Sequence, residues 1–436
     1  MLKNTDKISD REKESVPILN ALFIGDLHFM ISNKRDTDLL EERMIEHLDK
    51  HTYDCIILLG DLLDRFESIH VSPLHRITHF LSKLKEYAPI YILIGNHDRP
   101  NNSNFLTDEH PFVSLKQWTN TTIVDSVLLT SLNSHLEEKN PKNIKAIFVP
   151  YVAPGRFLEA LATQLCPNIL SDLPNIVDKD KWFIDNLDPL ITSFDIVICH
   201  QEFKGAKMGM INSQIGDIWP AHWPHIISGH IHDYDQLTPN ILYPGIPYQI
   251  HFGERSDRSI LSVKWVSNVN KKNEISSSWS YREGHPFIEM ERINLRIPPK
   301  VEVALKVKDV LSYCPPDNVS LRIVISGTSS EIKSLTKNPQ IWIWRQKGIK
   351  VQYRTLSEGN TSHEKNSTFE PNQHFKDVLY QKIKNDPQLN KHFIHLFGEI
   401  QSSSILNTSN TNPKEEILSK SKKSPSKRIS IRLIKK

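Results

Sequence analysis

Five short apolar runs in this 436-residue chain each end in residues that can bind a metal ion, and this repeated arrangement narrows the fold more than any other feature. The runs are ALFIGD (21–26), DCIILLGD (54–61), IYILIGNHD (90–98), FDIVICH (194–200) and HIISGH (225–230). Apolar stretches of this length predict buried strands. Amphipathic stretches, TDLLEERMIEHLDK and LHRITHFLSKLKEY, separate the first three runs. An alternation of strand and helix indicates parallel β-structure with right-handed crossovers, and therefore an α/β domain.

The rest of the chain divides into segments of different composition. KAIFVPY, NILYPGI and SILSVKWV predict further strands, and helices are predicted near 155–165 and 181–187. The polar stretch SNVNKKNEISSSWSYREGHP shows little periodicity and marks a domain boundary. We therefore predict an organisation in five parts: an N-terminal extension (1–19), the α/β domain (20–268), a small α+β module (285–360), a helical segment (365–402) and a disordered tail (403–436).

Composition indicates a globular protein of two or three domains, with 38% hydrophobic and 24% charged residues. The chain has neither a run of about 18 apolar residues nor the pattern of a secretory signal, so we expect a soluble protein inside the cell. Its four cysteines, Cys55, Cys166, Cys199 and Cys314, lack CxxC spacing. This scatter favours reduced thiols over a disulfide scaffold or a zinc knuckle.

Positive charge is concentrated at the C-terminus. Residues 414–436 contain nine Lys or Arg and two Glu, which leaves the remainder of the chain mildly acidic because the formal net charge is only +3. The tail is interpreted either as a solvated disordered end or as a segment for nuclear import or polyanion binding. The expected location is therefore cytoplasmic or nuclear.

Polar side chains at the predicted strand ends form a candidate metal site. Because the carboxyl ends of strands in an open α/β sheet meet at one edge, these side chains are expected to converge. They are Asp26, His28, Asp61, Asn96, His97, His200, His230 and His232. In an extended chain, residues i and i+2 point the same way, so each Asp-x-His or His-x-His pair would aim two donors at one point. The alternative is that unrelated polar loops follow five strands by chance.

Carboxylate, amide and imidazole donors together suit Mn, Fe or Zn better than Ca or Mg. Seven donors exceed what one tetrahedral ion accepts. They match two ions about 3.5 to 4 Å apart with one bridging carboxylate, an arrangement that activates water and neutralises a phosphoryl group.

The motifs GDLH, GDLLDR, GNHD, the His of CHQEF, and GHIH resemble, in this order, the five motifs of the calcineurin-like metallophosphoesterase superfamily. The resemblance implies a sandwich of two mixed β-sheets flanked by helices, with a smaller α+β C-terminal module and a disordered basic tail. It also implies that one ion is bound by Asp26, His28 and His232, the other by Asn96, His200 and His230, and both by Asp61. His97 would contact the scissile phosphate and protonate the leaving oxygen.

Two longer stretches, CHQEFKGAKMG and GHIHDYDQLTPNILYPGIPYQIHFGE, resemble the closing motifs of the SbcD and Mre11 nuclease family. The short separation of His200 and His230 speaks against protein Ser/Thr phosphatases. This resemblance implies DNA as substrate, two Mn²⁺ ions, a DNA-capping role for the module, and a segment near 375–400 that binds an SMC-like ATPase subunit of the SbcC or Rad50 type. A homodimer is also left open.

The second motif departs from the nuclease pattern, because Asp64 stands where that family often carries a histidine. Arg65 is a candidate phosphate ligand; the alternative for Arg65 is an ion pair with Asp64 or Glu67. Arg99, which follows GNHD, is equally ambiguous.

Three functions therefore compete on sequence grounds. The first is a metal-dependent DNA exo- or endonuclease of the SbcD or Mre11 kind, acting in DNA repair. The second is a phosphoesterase acting on small phosphodiesters, nucleotides or phosphoproteins. The third is a non-catalytic scaffold, which the complete set of donors argues against. Roughly 170 residues beyond the catalytic domain favour the nuclease over a minimal phosphodiesterase.

Overall fold

The computed structural model describes residues 17–66, 68–134, 143–209, 211–266, 282 and 285–356, together with a few helical positions between 383 and 393. The N-terminal segment before Pro17, nearly all of the predicted helical segment and the whole basic tail lie outside the described residues. Within the described ranges, none of the helices combines the length and apolar character that a bilayer span requires.

The described elements follow one another in a largely alternating order. The strands are β1 (Pro17–Ile24), β2 (Cys55–Leu58), β3 (Ile90–Leu93), β4 (Thr121–Val124), β5 (Leu128–Leu132), β6 (Ile144–Val149), β7 (Ile196–His200), β8 (Lys207–Met208), β9 (Ile211–Asn212), β10 (His225–Gly229), β11 (Asp235–Thr238), β12 (Ile241–Tyr243), β13 (Ile260–Val266), β14 (Phe287–Ile293), β15 (Lys300–Lys306), β16 (Ser320–Gly327) and β17 (Lys350–Thr355). The helices are α1 (Lys34–Leu48), α2 (Val71–Tyr87), α3 (Phe157–Leu165), α4 (Lys179–Ile191), α5 (Ser329–Leu335) and α6 (Pro339–Gln346).

Two six-stranded sheets make up the main domain. The first has the order β14-β13-β1-β2-β3-β4, and the second has the order β11-β12-β10-β7-β6-β5. In the first sheet, β1 to β4 are parallel. On the other side of β1, β13 pairs antiparallel with β1, and β14 pairs antiparallel with β13. In the second sheet, β6, β7, β10 and β12 are parallel, and β5 and β11 are antiparallel at the edges. Both sheets are therefore mixed, with parallel centres.

The two sheets pack face to face, and helices cover their outer faces. Side chains from both sheets share one buried cluster, which includes Phe23 of the first sheet and Phe148 and Ile198 of the second. A second cluster joins the first sheet to α1 and α2 through residues such as Leu40 and Phe80. A third joins the second sheet to α3 and α4. The predicted fold class, an α/β sandwich of two mixed sheets flanked by helices, is confirmed.

A three-stranded parallel sheet, β15-β16-β17, forms the smaller module. Along β16, buried and partly buried residues alternate, so Leu321, Ile323 and Ile325 share one face. This face packs with the helices α5 and α6, where Ile341 and Trp344 are buried. The opposite face carries the residues between them, including Arg322.

The sequence boundaries differ from the structure at two places. The strand β14 falls in the segment predicted as the start of the module, but it pairs with β13 and completes the first large sheet. The α+β module therefore begins at β15. At the other end, the predicted extension ran to residue 19, whereas β1 begins at Pro17 and pairs with Val266 from its first residue. At the first boundary, the polar linker before β14 lacks the periodicity that identifies an edge strand.

We expect acid to destabilise the fold through His225, which is buried at the start of β10. Burial and the charges of Arg282 and His285 lower the pKa of His225 to about 4. An unfolded histidine has a pKa of about 6.5, so between about pH 6.5 and pH 4 only the unfolded chain gains this proton, and stability falls as pH falls. The full loss corresponds to about 3 kcal/mol.

Urea unfolding of the wild type and His225→Leu at pH 7 and pH 4.5 tests this expectation. The variant lacks the titrating group, so its free energy of unfolding relative to the wild type should rise by about 2 kcal/mol at the lower pH. A difference that stays constant with pH would show that His225 is not responsible.

Candidate metal centre

The ends of five parallel strands, three from the first sheet and two from the second, meet at one edge of the sandwich. Asp26 follows β1, Asp61 follows β2 and Asn96 follows β3, while His200 ends β7 and His230 follows β10. Since both sheets present their carboxyl ends on the same side, the structure brings together residues that are far apart in sequence, such as Asp26 and His230, which are 204 positions apart.

Three overlapping sets of possible ligand atoms lie side by side. Asp26, His28 and His232 form the first group, with ligand atoms within 4.8 Å of one another, and Asp61, His200 and His230 form the second group. His28, Asp61 and His97 form a third set, which joins the two groups. Asp61 also approaches the first group, because its Oδ2 lies 3.7 Å from His28 Nε2 and 3.4 Å from His200 Nε2. Asp61 is therefore placed between the two groups, as a bridging ligand must be.

Asn96 completes the second group. Its Oδ1 lies 3.0 Å from His200 Nε2 and 2.9 Å from His230 Nδ1. Donor atoms about 3 Å apart are spaced as they would be around an ion with ligand bonds of roughly 2.1 Å. The structure thus brings all seven residues predicted as ligands together in two adjacent sets.

His28 supplies an independent sign that the site fits metal ions. The residue is buried, and neither of its ring nitrogens has a well-formed hydrogen bond among the described residues, since Asp64 Oδ1 lies 3.5 Å from Nδ1 and Asp61 Oδ2 lies 3.7 Å from Nε2. A buried polar atom that is poorly bonded costs free energy, whereas a bond to a cation would satisfy it. This weakly bonded imidazole, together with the mixed carboxylate, amide and imidazole donors, fits a centre for two divalent ions.

Backbone carbonyls set the tautomers of two histidines. His200 Nδ1 lies 2.7 Å from Leu59 O, and His97 Nδ1 lies 2.7 Å from Asp64 O. Because a carbonyl can only accept, each Nδ1 carries the hydrogen. His200 therefore offers Nε2 as a ligand, and His97 keeps Nε2 available for another partner.

The buried carboxylates give the site a strongly negative character. Burial alone would lower the pKa of His200, but Asp61 and Asp26 raise this pKa to about 9. Conversely, burial would raise the pKa of Asp61, but His200 and His28 hold it well below its usual range. The centre therefore needs positive charge, which divalent cations supply.

The pairs Asp26/His28 and His230/His232 do not reach the site through an extended chain, so the extended geometry predicted for them is wrong. His28 has φ 43°, Asp61 φ 49° and His230 φ 83°, all in the left-handed region. The backbone turns sharply where each strand ends, so it is this turn that aims the side chains at the centre. L-residues adopt such angles at a cost, and strained angles of this kind cluster at functional sites.

A glycine allows the loop after β1 to pack closely against a neighbouring loop. A Cβ atom on Gly25 would lie 1.8 Å from the carbonyl oxygen of Gly245. The loop after β1 can therefore pass against the loop after β12 only because Gly25 lacks a side chain.

Three residues around the site were not singled out from the sequence. Phe66 stacks on His97, with ring centroids 4.6 Å apart. Asp98 accepts hydrogen bonds from Leu63 N (3.0 Å) and Gly95 N (3.1 Å), which ties two site loops together. Asp98 stood in the quoted GNHD motif, but nothing in the sequence identified Phe66.

Glu254 is the third residue around the site that was not singled out from the sequence. Its Oε1 lies 3.5 Å from His232 Nδ1, and its Oε2 accepts from Ile250 N at 2.8 Å. Burial would raise the pKa of Glu254, but the hydrogen bond from His232 lowers it to about 2. A carboxylate behind a ligand histidine orients the ring and strengthens it as a ligand.

The structure also shows the surroundings of Asp64, Arg65 and Arg99, whose roles were open in the sequence. Asp64 Oδ1 lies 3.5 Å from His28 Nδ1. Arg65 is exposed beside His97, and among the described residues it forms no ion pair; Glu67 lies outside them. Arg99 is buried, and its Nη1 donates to Tyr151 O at 2.6 Å.

The chain is similar to a known family and to several known proteins. The calcineurin-like phosphoesterase family matches residues 19–234. The chain is 31% identical over 370 residues to "Putative phosphoesterase 078R" of Invertebrate iridescent virus 3, across 84% of this chain and 92% of that protein. It is 33% identical over 319 residues to "Putative phosphoesterase 244L" of Invertebrate iridescent virus 6, across 73% and 97%. The crystal structure of the calcineurin-like phosphoesterase YfkN from Bacillus subtilis aligns with 64% of this chain and 91% of that chain, at 11% identity and a TM-score of 0.34.

The chain belongs to the calcineurin-like phosphoesterase family. It is accordingly a phosphoesterase, a hydrolase that acts on ester bonds. Members of this family generally bind two divalent metals, and the two donor groups fit that requirement.

Metal titration of ligand variants tests whether the site binds two ions at two donor groups that share Asp61. We expect the wild type to bind two Mn²⁺ ions, His232→Ala to bind one tightly, and Asp61→Asn to lose more than about 100-fold in affinity for both, because Asp61 stands between the groups. Isothermal titration calorimetry measures stoichiometry and affinity, and circular dichroism checks that the variants fold. Retention of two tight sites in Asp61→Asn would contradict the bridging role.

Proposed function

We propose that this protein is a dinuclear, Mn²⁺-dependent phosphodiesterase that cleaves DNA. The observation that carries the proposal is the pair of donor groups sharing Asp61, with His97 held beside them. Bound at these groups, two divalent ions would activate a water and neutralise the oxygens of the scissile phosphate.

The protein's own residues then have separate tasks. Asp26, His28, Asp61, Asn96, His200, His230 and His232 would hold the ions. His97 would donate the hydrogen of Nε2 to the leaving oxygen as the P–O bond to that oxygen breaks. The Asp64 carbonyl fixes the other nitrogen of His97, and the ring of Phe66 limits its rotation. Glu254 orients His232.

Charge on the smaller module supports a nucleic-acid substrate. Residues 300–356 contain ten Lys or Arg and four Asp or Glu, although the chain outside its tail is mildly acidic. The face of the small sheet opposite α5 and α6 carries Lys306, Arg322, Lys350 and Arg354, of which Arg322 is paired with Glu302 at 3.0 Å and lies over the ring of Phe252. A basic surface of this kind attracts phosphate backbones, and it is of no obvious use to an enzyme for small esters.

Partners remain predictions. The SMC-like ATPase subunit was assigned to the helical segment 365–402, of which the structure describes only a few positions, and a homodimer rests on resemblance alone. Nuclear import or polyanion binding by the tail likewise concerns residues outside those described.

Replacement of His97 tests the nuclease mechanism. We expect His97→Asn to lower kcat on linear double-stranded DNA in Mn²⁺ by about 10² to 10⁴-fold, the usual contribution of a general acid, while both ions stay bound. His51→Asn is the matched control, because His51 is exposed in the loop that follows α1. Cleavage of labelled DNA and metal content are measured on the same preparations.

Parallel assays with bis-p-nitrophenyl phosphate separate the two enzymatic hypotheses. If the Mn²⁺-loaded wild type hydrolyses the small diester but leaves DNA intact, the nuclease assignment is wrong, and a phosphoesterase for small substrates takes its place. Full DNA cleavage by His97→Asn would overturn the acid role.

A further inference from the structure

A cavity of about 320 Å³ lies beside His97, between the loops that follow β2 and β3. Its volume falls at the lower end of the range that small-molecule sites occupy. Because His97 lines it, the cavity adjoins the position at which a leaving group departs.

Most of the cavity wall is apolar. Leu63, Ile69 and Pro111 contribute side chains without hydrogen-bonding atoms. His110 also lines the wall, but both of its ring nitrogens are engaged: Nε2 lies 3.1 Å from Asp125 Oδ2, and Nδ1 accepts from the amide of the residue two positions later at 3.2 Å. This wall therefore suits a flat, weakly polar group such as a nucleobase.

Positive charge borders the apolar wall. Arg65 and Arg99 both line the cavity, and among the described residues neither forms an ion pair with a carboxylate. Two carboxylates also line it: Glu109 accepts a hydrogen bond from Asn104 Nδ2 at 3.3 Å, and buried Asp98 accepts from two backbone N–H groups, so the exposed cation at the rim is Arg65. Exposed Arg65 can meet a phosphate with two parallel hydrogen bonds, whereas buried Arg99 adds only its charge.

We propose that this cavity is a leaving-group subsite that binds one nucleotide unit of the departing strand, with its base against Leu63, Ile69 and Pro111 and its next phosphate at Arg65. The inference rests on the proposed function, because His97 marks the leaving-group side only if it protonates the leaving oxygen. A nucleotide combines the two properties that the cavity offers, an apolar wall and an adjoining cation.

Two variants with different chemistry test the subsite. Ile69→Trp fills the cavity, and the 48% exposure of Ile69 allows the larger side chain to be accommodated. Arg65→Gln removes the charge from an exposed side chain. Val177→Trp is the matched control for the first, because Val177 is fully exposed and lines no part of the cavity.

The probes are thymidine 5′-monophosphate, thymidine 3′-monophosphate and thymidine, titrated calorimetrically into the full-length protein in EDTA. We expect Ile69→Trp to weaken binding of one of the monophosphates roughly tenfold, and Arg65→Gln to weaken the monophosphate but not thymidine. With Mn²⁺, the kcat/KM for oligonucleotide cleavage should fall about tenfold in both variants, mainly through KM.

The outcomes separate the two proposals. If the wild type cuts DNA but both variants bind the monophosphates and cleave as it does, the subsite is wrong while the nuclease assignment stands. If Ile69→Trp and Val177→Trp weaken binding equally, the effect is not local, and the subsite is again rejected. If the wild type does not cut DNA, the proposed function itself fails.

Discussion

Two carboxylates, Asp26 and Asp61, are buried at the edge of an otherwise apolar sandwich, and the arrangement of the site follows from this fact. Burial of a carboxylate without a compensating cation is costly. Imidazoles and cations must therefore surround them, and the raised pKa of His200 shows how strongly the carboxylates demand positive charge. A pair of divalent ions meets that demand and at the same time supplies the chemistry of a phosphoesterase.

The sandwich is what makes such a concentration of charge possible. Neither sheet carries the whole site: the first supplies Asp26, Asp61 and Asn96, and the second supplies His200 and His230. The shared core between the sheets fixes their separation, and the ligand atoms of each donor group lie within 4.8 Å of one another. A rigid scaffold of this kind reduces the cost of binding metal, because the ligands do not have to be gathered.

The central strands and all predicted ligands could be read from the sequence, because buried parallel strands are continuous apolar runs and their ends are marked by Asp, Asn and His. The strands at the edges of the two sheets could not be predicted in the same way. The strand β11 is the polar DQLT, β5 is short and partly exposed, and β14 follows a polar linker, so none of them shows a strong period. Pairing with distant partners stabilises them, which is tertiary information.

Within the site, the sequence identified donors but not the contacts that orient them. Phe66 lies on His97, and Glu254 lies behind His232 at a separation of 22 positions. Neither contact is marked by a local sequence pattern, because each depends on the position that a loop takes in the folded protein. The left-handed backbone at His28 and His230 was also hidden, because an Asp-x-His or His-x-His spacing is compatible with either an extended or a turned chain.

The loop that contains Glu254 also joins the metal centre to the smaller module. Lys300, the first residue of β15, donates from Nζ to Ile250 O at 2.9 Å and from its backbone N to Gln249 Oε1 at 2.6 Å. Glu254, four residues further along this loop, holds His232. A displacement of β15 would therefore be transmitted through hydrogen bonds to a metal ligand. The basic module is thus part of the support of the centre.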